Sequence, residues 1–310
     1  MAERARIARY FAPLTAGEPG SFHLHDDAAA LDVPPGKKLI VTTDSVIVGT
    51  HIVAGAKPTQ IATKLMRRNL SDLAAMGAAP WRYTLNAHTI PGLPDAWFAD
   101  FAAALAVEQS RYGLVLVGGD STSGPGPIHM GMTCFGLAEK ILLQSGARMG
   151  DALYVSGTIG DASLAFHHGK LANGFLSERY FAPEPRLALG QALHGVASAA
   201  IDISDGLFAD AVQLAGNSDV ALEISAEAIP LSAEAMPYRD HPDFWNHLGG
   251  GDDYELLFTA PKDAEQTLQQ LSQNLGVAIS RIGHVTVGSG VTLRDAAGAM
   301  MPLPAGFEHA

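Results

Sequence analysis

VTTDSVIVGTH, residues 41–51, decides how this chain is read. The preceding Leu39 and Ile40 run with Val41 into an apolar, partly β-branched stretch that predicts a strand over 39–43. Two threonines and Asp44 then stand where the apolar run ought to continue or turn. A carboxylate at the end of a buried run is costly to desolvate unless a cation meets it. The pattern recurs: LVLVGGD leads residues 114–117 into Asp120, AIDISDG threads Asp202 and Asp205 through apolar residues, and RRNLSDLAAMG holds Asp72. HLHDDAAA carries Asp26 and Asp27, and GGGDDYELLF carries Asp252 and Asp253.

Composition narrows what could meet them. The 310 residues suffice for one large domain or two ordinary ones, and 47% hydrophobic residues support a sizeable core. The single cysteine, Cys134, lies in the apolar run MGMTCFGLA, so no disulfide forms within the chain and a reducing, cytoplasmic setting is expected. Cys134 reads as a packed strand residue. The opening MAERARIARYFAPL lacks the long apolar core of a signal peptide, and its arginines suit a short amphipathic helix. No apolar stretch is long enough to span a bilayer. Residues 1–150 hold 13 basic and 12 acidic side chains, whereas 151–310 hold 7 and 20, a balance unsuited to nucleic acid. The one tight basic cluster, Lys64 with Arg67 and Arg68, reads as a solvated helix face.

Along the first half, the spacing predicts strands over 39–43, 81–87, 114–117 and 128–138. Helices are predicted over 58–76, stopped by Gly77, and 94–112, stopped by Gly113. QSGARMGD is a turn-rich break, and the domain boundary is placed there, giving 1–147 and 148–310. The second half reads as strands over 151–157, 220–224, 254–259 and 277–285, with helices over 160–169, 186–196, 206–215 and 264–275, the last ending at Gly276. The fold class is mixed α/β in two parts.

Three chemistries explain clustered aspartates. Glycoside hydrolysis needs two carboxylates and usually an aromatic cleft, and aromatics are only 7% here. A calcium loop needs D-x-D-x-D-G with a distal glutamate, which is absent. Magnesium ions bridging phosphates use one or two carboxylates per ion, drawn from separate loops, and fit best. Gly118-Gly119 before Asp120 and Gly249-Gly250-Gly251 before Asp252 let backbone amides approach phosphate oxygens. Each glycine–aspartate pair alone is more often a turn or cap. There is no G-x-x-x-x-G-K-[ST] and no protein-kinase H-R-D set.

DDAAAL, VTTDSVIVGTHI, NLSDLAAMGA, LVGGDSTSGP, GDALYVSGTIGDA, AIDISDGL and GGDDYELLFT resemble, in order, the motifs of the thiamine-monophosphate kinase family. That family sits in the aminoimidazole ribonucleotide synthetase-like superfamily. The resemblance implies a two-domain α/β fold whose N-terminal halves pair into a β-barrel across a homodimer, with ATP between the halves. It implies magnesium ligands at Asp27, Thr42, Thr43, Asp44, Asp72, Asp120, Asp202 and Asp205. ATP contacts carry over to Gly119, Asp120 and Ser204, and substrate contacts to His51, Asp252 and Phe307. On their own, His51 reads as a strand-end histidine and Phe307 as a packed tail residue.

Two positions depart from the pattern. His25 stands where the family has glycine, and Gln144 stands where it has an ATP-reaching arginine, with Arg148 four residues on. Glutamine supplies no fixed charge to a phosphate. Selenophosphate synthetases resemble a chain with a reactive residue near the N-terminus, and no cysteine precedes Cys134. The hydrogenase maturation relative ends in a cysteine, whereas this chain closes on GFEHA.

The implied activity is ATP-dependent phosphorylation of thiamine monophosphate to the diphosphate, in the cytoplasm. Its attacking phosphate oxygen is already anionic and needs no general base, so no catalytic side chain is assigned. Several Mg²⁺ ions offset phosphate–phosphate repulsion. The alternatives are a non-catalytic Mg-nucleotide sensor of the same fold and an aminoimidazole ribonucleotide synthetase-like enzyme. Thiamine monophosphate and ATP are the expected partners, with neither nucleic acid nor membrane.

Overall fold

A computed structural model describes residues 3–307. The chain's last three residues, part of the GFEHA ending weighed above, lie outside that range. The chain forms two compact units, Met1–Leu73 with Ala79–Glu139, and Ala74–Ala78 with Lys140–Ala310.

In the first unit the expected arginine-rich helix is a short one, α1 (Glu3–Arg6), continuing into π- and 3₁₀-helical turns. The strand predicted over 39–43 extends through the threonines and Asp44 as β1 (Lys38–Ile47). Helix α2 (Pro58–Ala75), β2 (Ala79–Thr89) and α3 (Asp95–Tyr112) follow, and Gly77 and Gly113 adopt φ of 67° and 72° at the helix stops. The strand predicted at 114–117 shifts forward to β3 (Leu116–Ser123), so the GGD triplet lies inside a strand. β4 (His129–Ala138) completes a sheet of order β1-β4-β2-β3, antiparallel except for the parallel β2–β3 pair.

Side chains alternate across this sheet. Tyr83, Leu85 and Ala87 of β2 and Met130, Met132 and Cys134 of β4 are buried. Tyr83 donates its hydroxyl to Gln109 of α3 at 2.6 Å, which places that face against the helices. Cys134 is a fully buried thiol, and burial pushes its pKa up.

The reading of Lys64, Arg67 and Arg68 as a solvated face is overturned. Lys64 is fully buried, Arg67 is buried in a fork with Glu108 of α3 at 2.8 and 3.0 Å, and Arg68 pairs with Asp44. Partners on neighbouring elements turn this face of α2 inward.

The second unit holds β5 (Ala152–Ser156), α4 (Asp161–His167), α5 (Phe175–Phe181) and α6 (Leu187–Ala192). Then come β6 (Ala199–Asp202), α7 (Leu207–Asn217), β7 (Ala221–Ser225), α8 (Phe244–Leu248), β8 (Leu256–Ala260), α9 (Glu265–Leu275) and β9 (Ile279–Thr286). β10 (Gly290–Arg294) and β11 (Met300–Met301) end it. Its seven strands run β11-β10-β7-β9-β5-β8-β6. β5 and β8 are buried along their whole length, and the core gathers Leu153, Val155, Ile201, Phe208, Leu257 and Ile282. The helix predicted over 186–196 is shorter, and β6, α5, α8, β10 and β11 are strands and helices the sequence pattern did not announce.

Candidate active site

The first sheet sorts the acidic residues by face. Asp44 pairs in register with Met132, Met132 with Leu85, and Leu85 with Gly119, so this row faces the helices. Arg68 of α2 donates to Asp44 through Nε at 2.7 Å and Nη2 at 3.0 Å, and the Ser45 amide adds a bond at 2.7 Å. Thr42 donates its hydroxyl to Asp72 on the same side. The cation that meets Asp44 is therefore an arginine.

The next row, Ser45–Gly131–Asn86–Asp120, faces the other way. Thr43 belongs to that face, accepting the Thr133 hydroxyl at 3.2 Å and donating to the Met132 carbonyl at 3.1 Å. Asp120 also borders a cavity of about 520 Å³, with Asp26, Asp27, Gly118, Gly119 and Asn86 on its wall. Gly119 is required there: its φ is 155°, and a Cβ would lie 2.0 Å from the Leu85 carbonyl oxygen. A smaller cavity of about 200 Å³ opens beside Asp120, Asn86, His88 and His129. Asn86, His88 and His129 were missed in the sequence; their signal is the polar phase of strand alternation.

Of the expected metal residues in this unit, the structure brings Asp27 and Asp120 to one cavity, and Thr42, Asp44 and Asp72 to the helix side. Among the described residues, no three His, Cys, Asp or Glu side chains already form a metal cage. The cavity nevertheless fits magnesium chemically. Asp26, Asp27 and Asp120 are exposed hard-oxygen donors, and an ion completed by phosphate and water needs only one or two of them. His51 turns back on its own strand, its Nδ1 accepting the Ile47 amide at 3.1 Å.

In the second unit, Asp202 ends β6, and the loop after it holds Ser204 and Asp205. The carbonyl oxygens of Ser204 and Asp205 accept the amides of Asp252 and Phe307, each at 2.9 Å. Asp252 has φ of 67° and accepts the Tyr254 hydroxyl at 2.9 Å. The loop's own amides turn to Asp210, which sequence reasoning missed. Burial, then the charge of Asp205, pushes Asp210 up to about 7 despite three amide donors.

Beneath the Asp252 loop lies a buried ionic cluster. Glu255 accepts Arg179 at 2.8 Å and Arg186 at 2.6 and 2.5 Å. Asp253 accepts the Gly160 amide at 2.8 Å while its other oxygen has no hydrogen bond, and burial pushes its pKa well up. Gln144 accepts the Asn217 side-chain amide at 2.7 Å, and the Arg148 side chain nearby in sequence is exposed.

Known proteins resemble this chain in sequence and in fold. Residues 25–138 match the N-terminal domain model of the AIR synthase related protein family, and 148–296 match its C-terminal domain model. The thiamine-monophosphate kinase of Haemophilus influenzae is 34% identical over 100% of this chain and 98% of its own length. The crystal structure of thiamine-monophosphate kinase from Stenotrophomonas maltophilia superposes with a TM-score of 0.81 at 35% identity, covering 87% of this chain and 89% of that one. AaThiL complexed with AMPPCP and TMP superposes at 0.78 with 29% identity, covering 94% and 98%. Likeness at this level over the whole length, with both domain models in order, means that this chain belongs to the thiamine-monophosphate kinase family.

Proposed function

We infer that this chain transfers the γ-phosphoryl group of ATP to the phosphate of thiamine monophosphate, yielding thiamine diphosphate and ADP. The observation that carries the reading is full-length similarity to thiamine-monophosphate kinases, joined by a relative of the same fold that holds AMPPCP and TMP. The acceptor oxygen is anionic at neutral pH, so the protein's task is positioning and charge compensation. Magnesium, when bound, neutralises the repulsion between donor and acceptor phosphates and favours in-line geometry.

In the first unit, Asp27 and Asp120 would hold that metal at the cavity where Gly119 brings backbone close to phosphate. Asp44 and Asp72 with Thr42, and Thr43 on the other face, complete the assigned set. In the second unit, Asp202 and Asp205 take the metal role, Ser204 and Gln144 the ATP role, and Asp252 and Phe307 the thiamine monophosphate role; His51 is assigned to thiamine monophosphate as well. We assign metal and ATP handling chiefly to residues 1–147, and place the protein in the cytoplasm as a homodimer. Two features support a dimer: β1 is a sheet edge, and Leu39 and Val41 on it are 41% and 55% exposed.

The test is incubation with ATP, Mg²⁺ and thiamine monophosphate, followed by chromatography. Appearance of thiamine diphosphate is expected. Mg-dependent ATP binding without product would favour the sensor reading instead.

A further inference from the structure

The residues assigned to ATP and metal in the second unit are tied to those assigned to thiamine monophosphate through one short loop. Ile203 donates to the Glu255 carbonyl and accepts the Tyr254 amide, both at 2.8 Å. Ser204 accepts the Asp252 amide and Asp205 the Phe307 amide, both at 2.9 Å. The loop thus spends its carbonyls on the substrate side. Its amides, from Ser204, Asp205 and Gly206, all converge on Oδ2 of Asp210 at 3.0, 3.1 and 3.1 Å.

Asp210 is 2% exposed and reaches back from the first turn of α7. Packing leaves this loop little slack. A Cβ on Gly206 would fall 1.9 Å from the Gly249 carbonyl oxygen, and one on Gly251 would fall 2.4 Å from that of Ser204. A shift of the 204–206 backbone therefore carries Asp252 and Phe307 with it.

We propose that Asp210 is a positioning residue that holds the ATP-side pair Ser204 and Asp205 and the substrate-side pair Asp252 and Phe307 in one register. The inference rests on the kinase reading above and on those four assignments. No substrate contact is assigned to Asp210 itself. All three amides depend on that one oxygen, and an asparagine in its place offers a single amide oxygen beside an NH2 group that accepts nothing, so Asp210→Asn keeps the shape but loosens the loop. A residue serving one subsite moves one KM, whereas a residue holding the shared loop moves both.

The experiment is steady-state kinetics with each substrate varied, for the parent, Asp210→Asn, Asp210→Glu and Asp205→Asn, with thermal melts of each. Asp210→Asn and Asp210→Glu are expected to raise KM for ATP and for thiamine monophosphate together, each by about tenfold. Asp205→Asn is expected to raise the Mg²⁺ and ATP requirement while moving the thiamine monophosphate KM far less. A folded Asp210 variant with one or both KM values unchanged overturns the proposal. Normal activity of Asp205→Asn at limiting Mg²⁺ overturns the metal assignment instead, and the absence of any product from the parent overturns the kinase reading.

Should both Asp210 variants fail to fold, hydrogen exchange on the parent decides. Thiamine monophosphate alone is expected to slow exchange of the 204–206 amides. No change there overturns the proposal.

Discussion

Asp44 and Arg68 form a two-pronged ion pair, 2.7 and 3.0 Å long, on the helix-facing side of the first sheet. The carboxylate that interrupts an apolar strand is thus already compensated by the protein. A metal role for Asp44 makes Arg68 its competitor. Asp44→Asn is expected to keep the fold and lower turnover at limiting Mg²⁺ by roughly 10- to 100-fold, the worth of one charge-assisted contact. Arg68→Gln is expected to lower the Mg²⁺ concentration needed for half-maximal rate. Near-parent activity of Asp44→Asn at limiting Mg²⁺ would remove Asp44 from the metal set.

Arg67 and Glu108 form a second pair, with side chains only 8% and 5% exposed. Removing one partner of a buried pair leaves a desolvated charge poorly compensated, at a cost of about 3 kcal/mol. Glu108→Gln is expected to lower the urea midpoint accordingly, and Arg67→Met in the same chain to recover much of the loss. Equal melting of Glu108→Gln and parent would contradict a stabilising role.

Four histidines meet where α4 packs near α8. His167 stacks on His247 at 4.2 Å, His168 shares a ring-nitrogen hydrogen bond with His247 at 3.2 Å, and His241 lies 5.2 and 5.6 Å from His168 and His247. Two ring nitrogens bond only if one of them lacks a proton. Burial, then neighbouring histidines, lowers His167, His168 and His247 below 6.5; Lys170 adds to this at His168, and Asp243 opposes it at His247. The unfolded chain therefore takes up protons first. The stability that this cluster contributes above pH 6.5 is expected to fall as pH drops below it. Asp210, raised to about 7, acts in the opposite sense over the same window, so the check is a comparison of parent and His247→Asn melting at about pH 8 and about pH 5.5, in which the variant should be favoured by acid relative to the parent. Equal acid shifts in the two proteins would refute it.

Gln144 is held by Asn217 at 2.7 Å, and the exposed Arg148 lies beyond the next turn. If Arg148 supplies the charge that Gln144 lacks, Arg148→Ala is expected to weaken apparent ATP affinity about tenfold, and Gln144→Arg added to it to restore affinity. Unchanged affinity in Arg148→Ala excludes that residue as the substitute.

Assembly is checked by light scattering at low micromolar concentration, where a homodimer is expected. Only β1 and β3 are edges of the first sheet; the apolar β2 and β4 lie inside it. Val41→Lys on the exposed edge is expected to shift the particle toward monomer, because an edge lysine opposes strand pairing. A monomeric parent would end the dimer assignment.

Local chemistry made much of this chain legible in one dimension. Gly77, Gly113 and Gly276 stop helices with φ of 67°, 72° and 64°, a region other residues disfavour, so those helix ends could be read directly. The motif residues likewise marked the family and the two α/β parts. Tertiary structure decided the rest. Whether Lys64, Arg67 and Arg68 face water depends on Glu108 and Asp44 arriving from other elements, which helical spacing does not encode. Thr42 and Thr43 are neighbours in sequence yet serve opposite sheet faces, because the strand extends past the apolar run. Asp210 is by position a first-turn acid of a helix, and nothing in residue order sets it apart. Its role emerged only when the fold brought Asp252 and Phe307 onto the carbonyls of the loop whose amides it binds, since backbone hydrogen bonds between distant segments leave no mark in residue order.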